Sequence, residues 1–504
     1  MVGHGIGSNC GGWWRLRRGL GMLWDMANQE HLEALRGGQW SLWREAHPGI
    51  TPDFKGADLH GLNLYLHDLS QADLSGANLT GANLNSCRLR AAVLVDTNFA
   101  QASFAGADFS DVRLHSVDLS GRVLQAAVFV RARMERVTLA GADLRGADFK
   151  SAEFQSVDLT GADLRGADLT KARLRDCKLK GAKLAGAKLA DAGLESLDLA
   201  GVDFRKAGLR GARLRSSNLA GADLAEADLS GADLYKARLA GASLAGVKAE
   251  GTLLRGADLT GANLNKTDFT KANLAEALII RADVSQTVFT AAVLSEAQIE
   301  GMDMRMANLY GANFTEARLK NLHLEGVRLE ASDLSGAKLD DVRLNGANLE
   351  RAKLSHATVT ASDLREVRLA GADLSDAVFE RVKMRNANLA GGDLSRADLS
   401  GNDLRGANLA DAKLSRADLS RCDLRGAKFQ GARGRAARMN HANLEGVNLR
   451  GSRLIGARLW AANLKRARVR GGLVWKTTGL VYRAGRRVAG HVKDYVEASD
   501  ADDE

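Results

Sequence analysis

"CKLKGAKLAGAKLADAGL", Cys177 to Leu194, is built from strong helix formers, yet its leucines fall at 179, 184, 189 and 194, five apart. Each residue of an α-helix turns about 100°, so every fifth side chain lands roughly 140° further round and no apolar stripe forms. A flat strand has period two, so an odd spacing would alternate faces. One Leu per pentad keeps pointing inward only if the chain turns by about 90° after each pentad. The spacing therefore predicts a square coil, with one pentad per side and twenty residues per turn.

The same register runs far beyond this stretch. From Phe54 to Val469, every residue number ending in 4 or 9 belongs to one series of 84 pentads without insertion or deletion. Nearly all members are Leu, Phe, Met, Ile or Val; Ala249 and Gly434 are the clear exceptions. Two residues earlier the slot is mostly Ala, with Val, Ser, Thr or Cys as variants, and Asp, Asn, Arg or Lys stands between the two. Residues two apart share a face, so the small residue and the Leu point inward and the middle residue points out. Gly is frequent at the last slot, where a corner needs positive φ. Pro would break pairing between coils, and both prolines, Pro48 and Pro52, precede the repeats. Four pentads per turn give about 21 coils, a rod on the order of 100 Å long at ~4.8 Å per coil. Aromatic content of 5% fits a narrow Leu and Ala core without a large aromatic centre.

Stretches such as "ADLSGANLTGANL" (Ala72 to Leu84) and "GADLRGADLT" (Gly161 to Thr170) closely resemble the A-[D/N]-L-x-x signature of the pentapeptide repeat family. The resemblance covers about four fifths of the chain. It implies an all-β solenoid, a right-handed quadrilateral β-helix. For function it implies little, because most members have no established role. A few bacterial members bind type II topoisomerases such as gyrase by imitating DNA, with acidic surfaces and dimerisation through terminal helices.

The segments are read as follows. Residues 1–25 are expected to be a disordered extension or to lie upstream of the true start, with Met26 a natural beginning. Residues 26–52 read as an N-terminal helical cap. Asn28 is placed to cap a first helix, Gly37–Gly38 to end it, and Trp40, Leu42 and Trp43 to cover the open first coil. Residues 53–470 are the repeats. In 471–504, Val481, Ala484, Val488, Val492 and Tyr495 follow helical spacing and predict a short C-terminal helix that closes the last coil or makes a homodimer contact, followed by an acidic tail.

Charge is unevenly placed. The net charge is +9, but residues 53–426 hold 49 basic and 50 acidic side chains, whereas 427–470 hold 11 Lys and Arg against Glu445 alone. At a twenty-residue period Lys413, Arg433 and Arg453 form one column, and Arg438 and Arg458 another. Stacked like charges on neighbouring strands are unfavourable and attract an anionic partner. Lys413, Arg433, Arg435, Arg438, Arg453, Arg458, Lys465, Arg466, Arg468 and Arg470 are therefore the candidate partner-binding residues. The anion would be nucleic acid, acidic lipid or the protein's own acidic tail. In the body the pattern is opposite. Arg173, Lys178, Lys183 and Lys188 are predicted to stack over Glu153, Asp158, Asp163 and Asp168 as a basic ring on an acidic one.

Catalytic and metal motifs are missing from the sequence. The ten His never recur at twenty-residue spacing, and no HExxH, Walker or nucleophile-elbow pattern occurs. Outward Asp residues occupy the repeat's solvent slot and are read as structural. Cys87, Cys177 and Cys422 share the small inward slot many coils apart, which excludes disulfides among them and fits a reducing compartment. No cofactor is implied, and no apolar run reaches the ~18 residues of a membrane span. Arg122 stands in an inward slot and should bend outward or find carbonyls; Ala249 and Gly434 should leave dents; "LIIRADVSQTVFTAAVL" (Leu278 to Leu294) is a weak candidate apolar patch. The expectation is a non-enzymatic, cytoplasmic rod that binds or scaffolds an unknown protein partner, with a polyanion at its basic C-terminal coils. The alternatives are a DNA-mimic gyrase-protection protein, which the neutral body disfavours, and a secretion-associated or effector-like rod exported without a cleaved signal.

Overall fold

Five backbone N–H groups per pentad must each find an acceptor, and their partners define the architecture. In the computed structural model, which describes residues 27–468 and the backbone of 480–483 and 486–489, the assignment is nearly the same in every pentad. The inward Leu donates to the next coil (Leu59 N to Asn78 O, 2.8 Å), and the middle residue donates back to the previous one (Asn78 N to Ala57 O, 2.8 Å). The corner N–H also reaches the next coil (Gly61 N to Thr80 O, 2.8 Å). The small inward residue closes a four-residue turn (Ala57 N to Phe54 O, 3.0 Å). Where Asp or Asn holds the middle slot, the fifth N–H, two residues later, is met by that side chain, as in Ser70 N to Asp68 Oδ1 at 2.9 Å and Thr80 N to Asn78 Oδ1 at 3.2 Å. Asp and Asn therefore fill the outward slot because they complete the backbone's hydrogen bonding.

The turn has positive φ at its third residue, the geometry of a type II turn. Gly56 (φ 64°) and Gly61 (φ 64°) fit it without strain, but Leu66 (62°), Gln71 (64°) and Ala91 (57°) adopt it too. The corner conformation is imposed by the coil, and glycine only makes it cheaper.

These coils stack as a parallel β-solenoid. Backbone pairing advances by twenty residues per step from Asp53↔Asp73 to Asn448↔Arg468. Where the pairing lengthens into strands, it forms sheets along the sides. One contains β1 (Val93–Val95), β2 (Arg113–His115), β3 (Arg133–Glu135), β4 (Glu153–Gln155) and β5 (Arg173–Arg175). A second contains β6 (Leu278–Ile280), β7 (Gln298–Asp303), β8 (Arg318–His323), β9 (Lys338–Arg343), β10 (Thr358–Thr360) and β11 (Val378–Glu380). β12 (Arg433–Arg435) and β13 (Arg453–Ile455) form a third near the basic end. None of these strands begins with Asp or Asn. Lacking the side-chain acceptor, these pentads are free to stay extended and pair with their neighbours, although Lys183, Lys188 and Arg213 keep the turn without it.

The interior is filled by the Leu series and the small residues two before it. The sequence expectation of a core without an aromatic centre fails in one region. Phe109, Phe129 and Phe149 stack ring on ring at 4.7 and 4.8 Å, flanked by Phe99, Phe104 and Phe154. Polar members of the small slot donate to carbonyls: Thr252 Oγ1 to Leu229 O at 2.9 Å and Thr267 Oγ1 to Leu244 O at 2.7 Å. Asn402 donates to Phe379 O and Leu399 O and accepts from Val382 N at 2.7 Å. Arg122 is half-buried and donates from Nε to Ser120 O at 3.1 Å, the carbonyl solution its position demands. Gly434 does not leave a dent. Leu414 Cβ and Leu454 Cδ2 close in so far that an added Cβ would sit 3.1 Å from each. Cys87, Cys177 and Cys422 are buried free thiols, and burial pushes Cys422 up to about 12.

Two helices cover the first coil. α1 (Gln29–Arg36) is capped by Asn28, whose side chain accepts from Glu30 N and His31 N, and Gly37 follows its last turn. α2 (Trp40–Ala46) buries Trp40 against Phe54, ring centroids 5.2 Å apart. The exposed edge of the first coil is satisfied from this cap: Trp40 Nε1 donates to Asp68 O, Arg36 to Asp58 O, Arg44 to Ser70 O, and Asp53 N donates to His31 Nδ1. Trp43 stacks on Trp40, but Leu42 is 64% exposed and covers nothing. At the other end the predicted helix is corrected. β14 (Leu480–Arg483) pairs antiparallel with β15 (Arg486–Ala489), which sets Val481 opposite Val488. β-Branched and aromatic residues around Gly485 favour a hairpin over the helical period that Val481, Ala484 and Val488 also fit. Ala484, Val492 and Tyr495 lie outside the described residues.

Candidate functional site

Much of the charge on the body is held by short local pairs, although some cations, such as Arg318 opposite Lys338, have no carboxylate within 4.0 Å among the described residues. Seven pentads carry Asp-Leu-Arg or Asp-Met-Arg or Asp-Phe-Arg, in which the guanidinium folds back on the carboxylate two residues earlier. The distances are 2.7 Å for Arg145–Asp143, 2.6 Å for Arg165–Asp163, 2.8 Å for Arg205–Asp203, 2.6 Å for Arg305–Asp303, 2.6 Å for Arg365–Asp363, 2.7 Å for Arg405–Asp403 and 2.7 Å for Arg425–Asp423. The guanidinium of Arg145 holds the Asp143 carboxyl well below the usual carboxylate range, and that of Arg305 brings Asp303 down to about 2. Sequence reasoning missed these pairs because it searched only columns twenty residues apart.

The predicted basic ring on an acidic ring is correspondingly loose. Lys178–Asp158 and Lys188–Asp168 stand at 3.8 Å and Arg173–Glu153 at 3.9 Å. The fourth pairing, Lys183 with Asp163, is replaced by Arg165, which takes both carboxylate oxygens.

In the C-terminal coils the columns are real but the carboxylates run out. Lys413 pairs in register with Arg433, and Arg433 with Arg453; Arg438 pairs with Arg458, and Asn448 with Arg468. Two predicted residues do find partners in the coil before: Lys413 Nζ lies 3.1 Å from Asp393 and Arg438 lies 3.6 Å from Asp418. They are the boundary of the site. Arg433, Arg435, Arg453, Arg458, Lys465, Arg466 and Arg468 are exposed, and among the described residues none has a carboxylate within 4.0 Å. Arg470 lies outside the described residues.

The local substitutions explain the change. The Asp-x-Arg spacing persists here with the carboxylate replaced, as Asn448-Leu-Arg450, Asn463-Leu-Lys465 and Arg433-Gly-Arg435. Asn keeps the backbone contact (Arg450 N to Asn448 Oδ1, 3.1 Å) while withdrawing the charge. Trp460, 47% exposed, stands two residues after Arg458 with its ring edge-on to His441 at 4.5 Å. Ile455 is opposite Arg435 and half exposed. The place of Trp460 two residues after a column arginine puts it on the same side as Arg438 and Arg458. The Leu278 to Leu294 stretch gives no comparable patch, since Leu278, Val288 and Val293 are largely covered. Among the described residues no cluster of His, Cys, Asp and Glu is placed to hold a metal ion, and no helix is long and apolar enough to cross a membrane.

Fold and surface together define a repeat protein of the solenoid class, with a Leu and Ala interior and an outward slot free to vary. The family model described as "Pentapeptide repeats (8 copies)" matches in overlapping stretches from 53–90 to 435–471, and the chain belongs to this family. No curated protein matches. Among solved structures the chain is similar to QnrB1, a plasmid-mediated fluoroquinolone resistance protein, at 21% identity, 40% of this chain, 92% of that one and a TM-score of 0.32. It is also similar to HetL, a pentapeptide repeat protein involved in heterocyst differentiation regulation in the cyanobacterium Nostoc, at 24% identity, 66% and 90% coverage and a TM-score of 0.13. A third is Rfr23 of the cyanobacterium Cyanothece, at 23% identity, 29% and 90% coverage and a TM-score of 0.14. These likenesses concern the repeat fold.

Proposed function

We propose that this protein is a binding or scaffold rod whose basic C-terminal coils engage a polyanionic surface, a nucleic acid or acidic lipid, while the paired body serves as a spacer and protein-docking surface. The single observation that supports this is the contrast in pairing. Seven arginines of the body fold onto a carboxylate two residues away, whereas Arg433 stands opposite Arg453, Arg458 stands opposite Arg438, and among the described residues Arg433, Arg435, Arg453 and Arg458 have no carboxylate within 4.0 Å. A row of cations at coil spacing is a counterion-binding surface, and displacement of its counterions by a polyanion drives association. Mimicry of DNA requires a surface of the opposite sign, and the body is neutral.

The test is a salt titration of binding to a DNA duplex and to vesicles rich in acidic lipid. Affinity should fall steeply as salt rises, with a log–log slope on duplex DNA of about −0.9 per neutralised phosphate. Absence of binding to both probes at low salt would sink the proposal.

A further inference from the structure

The open cations have a source of carboxylate in their own chain. After Asp423 only Glu445 is acidic up to Arg468, but the sequence later turns to "EASDADDE", Glu497 to Glu504, with five carboxylates and no cation. We infer that this acidic segment lies across the face formed by β12 and β13, against Arg433, Arg435 and Arg453, and competes there with external polyanions. Its regulatory consequence rests on the polyanion reading above; the contact itself does not.

Three observations carry the inference. First, the register places Arg433 directly opposite Arg453, a repulsive arrangement that an anion relieves. At the boundary of the same column the chain neutralises its own cation, Lys413 with Asp393 at 3.1 Å, and the neighbouring corner does likewise, Arg396 with Asp376. The column beyond Lys413 lacks only the carboxylate. Second, the reach is ample. The described coils end at Arg468, and Glu497 follows twenty-nine residues later. The hairpin brings residues 480 and 489 together, so about 20 residues set the reach, up to roughly 65 Å, whereas Arg433 lies about two coil spacings back, on the order of 10 Å. Third, tethering favours this occupant. An attached segment meets the face at an effective concentration in the mM range, so dilute monovalent anions and a second copy are outcompeted. A long polyanion, which contacts Lys465, Arg466 and Arg468 as well, displaces it.

Zero-length carbodiimide crosslinking of the full chain, read by mass spectrometry, tests the contact. The peptide containing Glu497 to Glu504 should link to Lys428 or Lys465, the two lysines of these coils. The yield should be unchanged on dilution, lost at high salt, and reduced severalfold in R433Q/R435Q/R453Q. A missing crosslink, or one indifferent to the arginine substitutions, overturns the inference. A second variant, E497Q/D500N/D502N/D503N/E504Q, leaves the coils intact and should bind a DNA duplex about tenfold more tightly than the native chain; unchanged affinity in a chain that does bind also overturns the inference. If the crosslink forms and neither chain binds duplex or acidic vesicles, the intramolecular contact stands and the polyanion reading falls. If the native chain binds and no crosslink forms, the polyanion reading stands and the contact falls.

Discussion

Coils between Asp143 and Arg425 and coils between Ala427 and Arg468 share one backbone and differ in one outward atom set. In the first, Asp closes the turn with one oxygen and holds an arginine with the other, as Asp363 does for Arg365 N and its guanidinium. In the second, Asn performs only the backbone task, as in Lys465 N to Asn463 Oδ1 at 3.1 Å. At Asp and Asn pentads the turn uses the acceptor and not the charge, and Lys183, Lys188 and Arg213 hold the same slot with neither the acceptor nor a negative charge. Surface electrostatics can therefore be rewritten along this solenoid without a cost in hydrogen bonding.

If the core is as uniform as the surface is divided, the largest effects come from the interior of either region. Phe129→Ala removes the middle of the phenylalanine stack and should cost about 3–5 kcal/mol, read by denaturant unfolding. A loss under 1 kcal/mol would show that the rings do not pack as a column. Gly434→Leu restores the repeat consensus in the basic coils, yet Leu414 and Leu454 already occupy the space. Overpacking should destabilise these coils by ~1–3 kcal/mol, measured by local hydrogen exchange; a gain in stability would contradict the packing described here.

Acid should separate the two regions. Carboxyls such as Asp303 sit near 2, below their ordinary value of 3.8. A carboxyl depressed in the folded state stabilises above its unfolded pKa, and that contribution is lost as pH falls toward the folded one. Thermal stability should therefore decline from about pH 4 down to pH 2, and D303N/D363N/D403N should flatten the decline. An unaltered profile in that variant would show that the pairs are idle. The smallest effect is at the corners. Ala91→Gly relieves a left-handed alanine and should stabilise by ~1 kcal/mol in unfolding experiments, whereas a loss would mean the corner strain is negligible.

Much of this was legible in the sequence. Leu every fifth residue, one inward side chain per turn, defines a coil of four sides, and the twenty-residue columns follow. Asp and Asn in the outward slot were visible, but their task was not, because an Asx contact to the N–H two residues on is a backbone need and leaves no trace in charge patterns. The strands are legible only in part: Val93, Arg113 and Arg133 lack the acceptor that holds the turn, but so do Lys183 and Lys188, which keep the turn. The C-terminal hairpin was misread because Val481, Ala484 and Val488 satisfy a helical period while Val481, Tyr482 and Val488 have strand propensity. Candidate arginines were found from their columns, and the structure removed Lys413 and Arg438 from the open set because a carboxylate lies one coil before each.

The contrast between paired and open arginines is tested most directly by matched substitutions. R433Q/R453Q and R365Q/R405Q each remove two surface guanidinium groups, and duplex DNA binding is measured for both across a salt series. The account predicts that the first pair lowers affinity about tenfold or more and shallows the salt slope by about 2, while the second leaves both nearly unchanged. Equal losses in the two variants, or a greater loss from R365Q/R405Q, would contradict it.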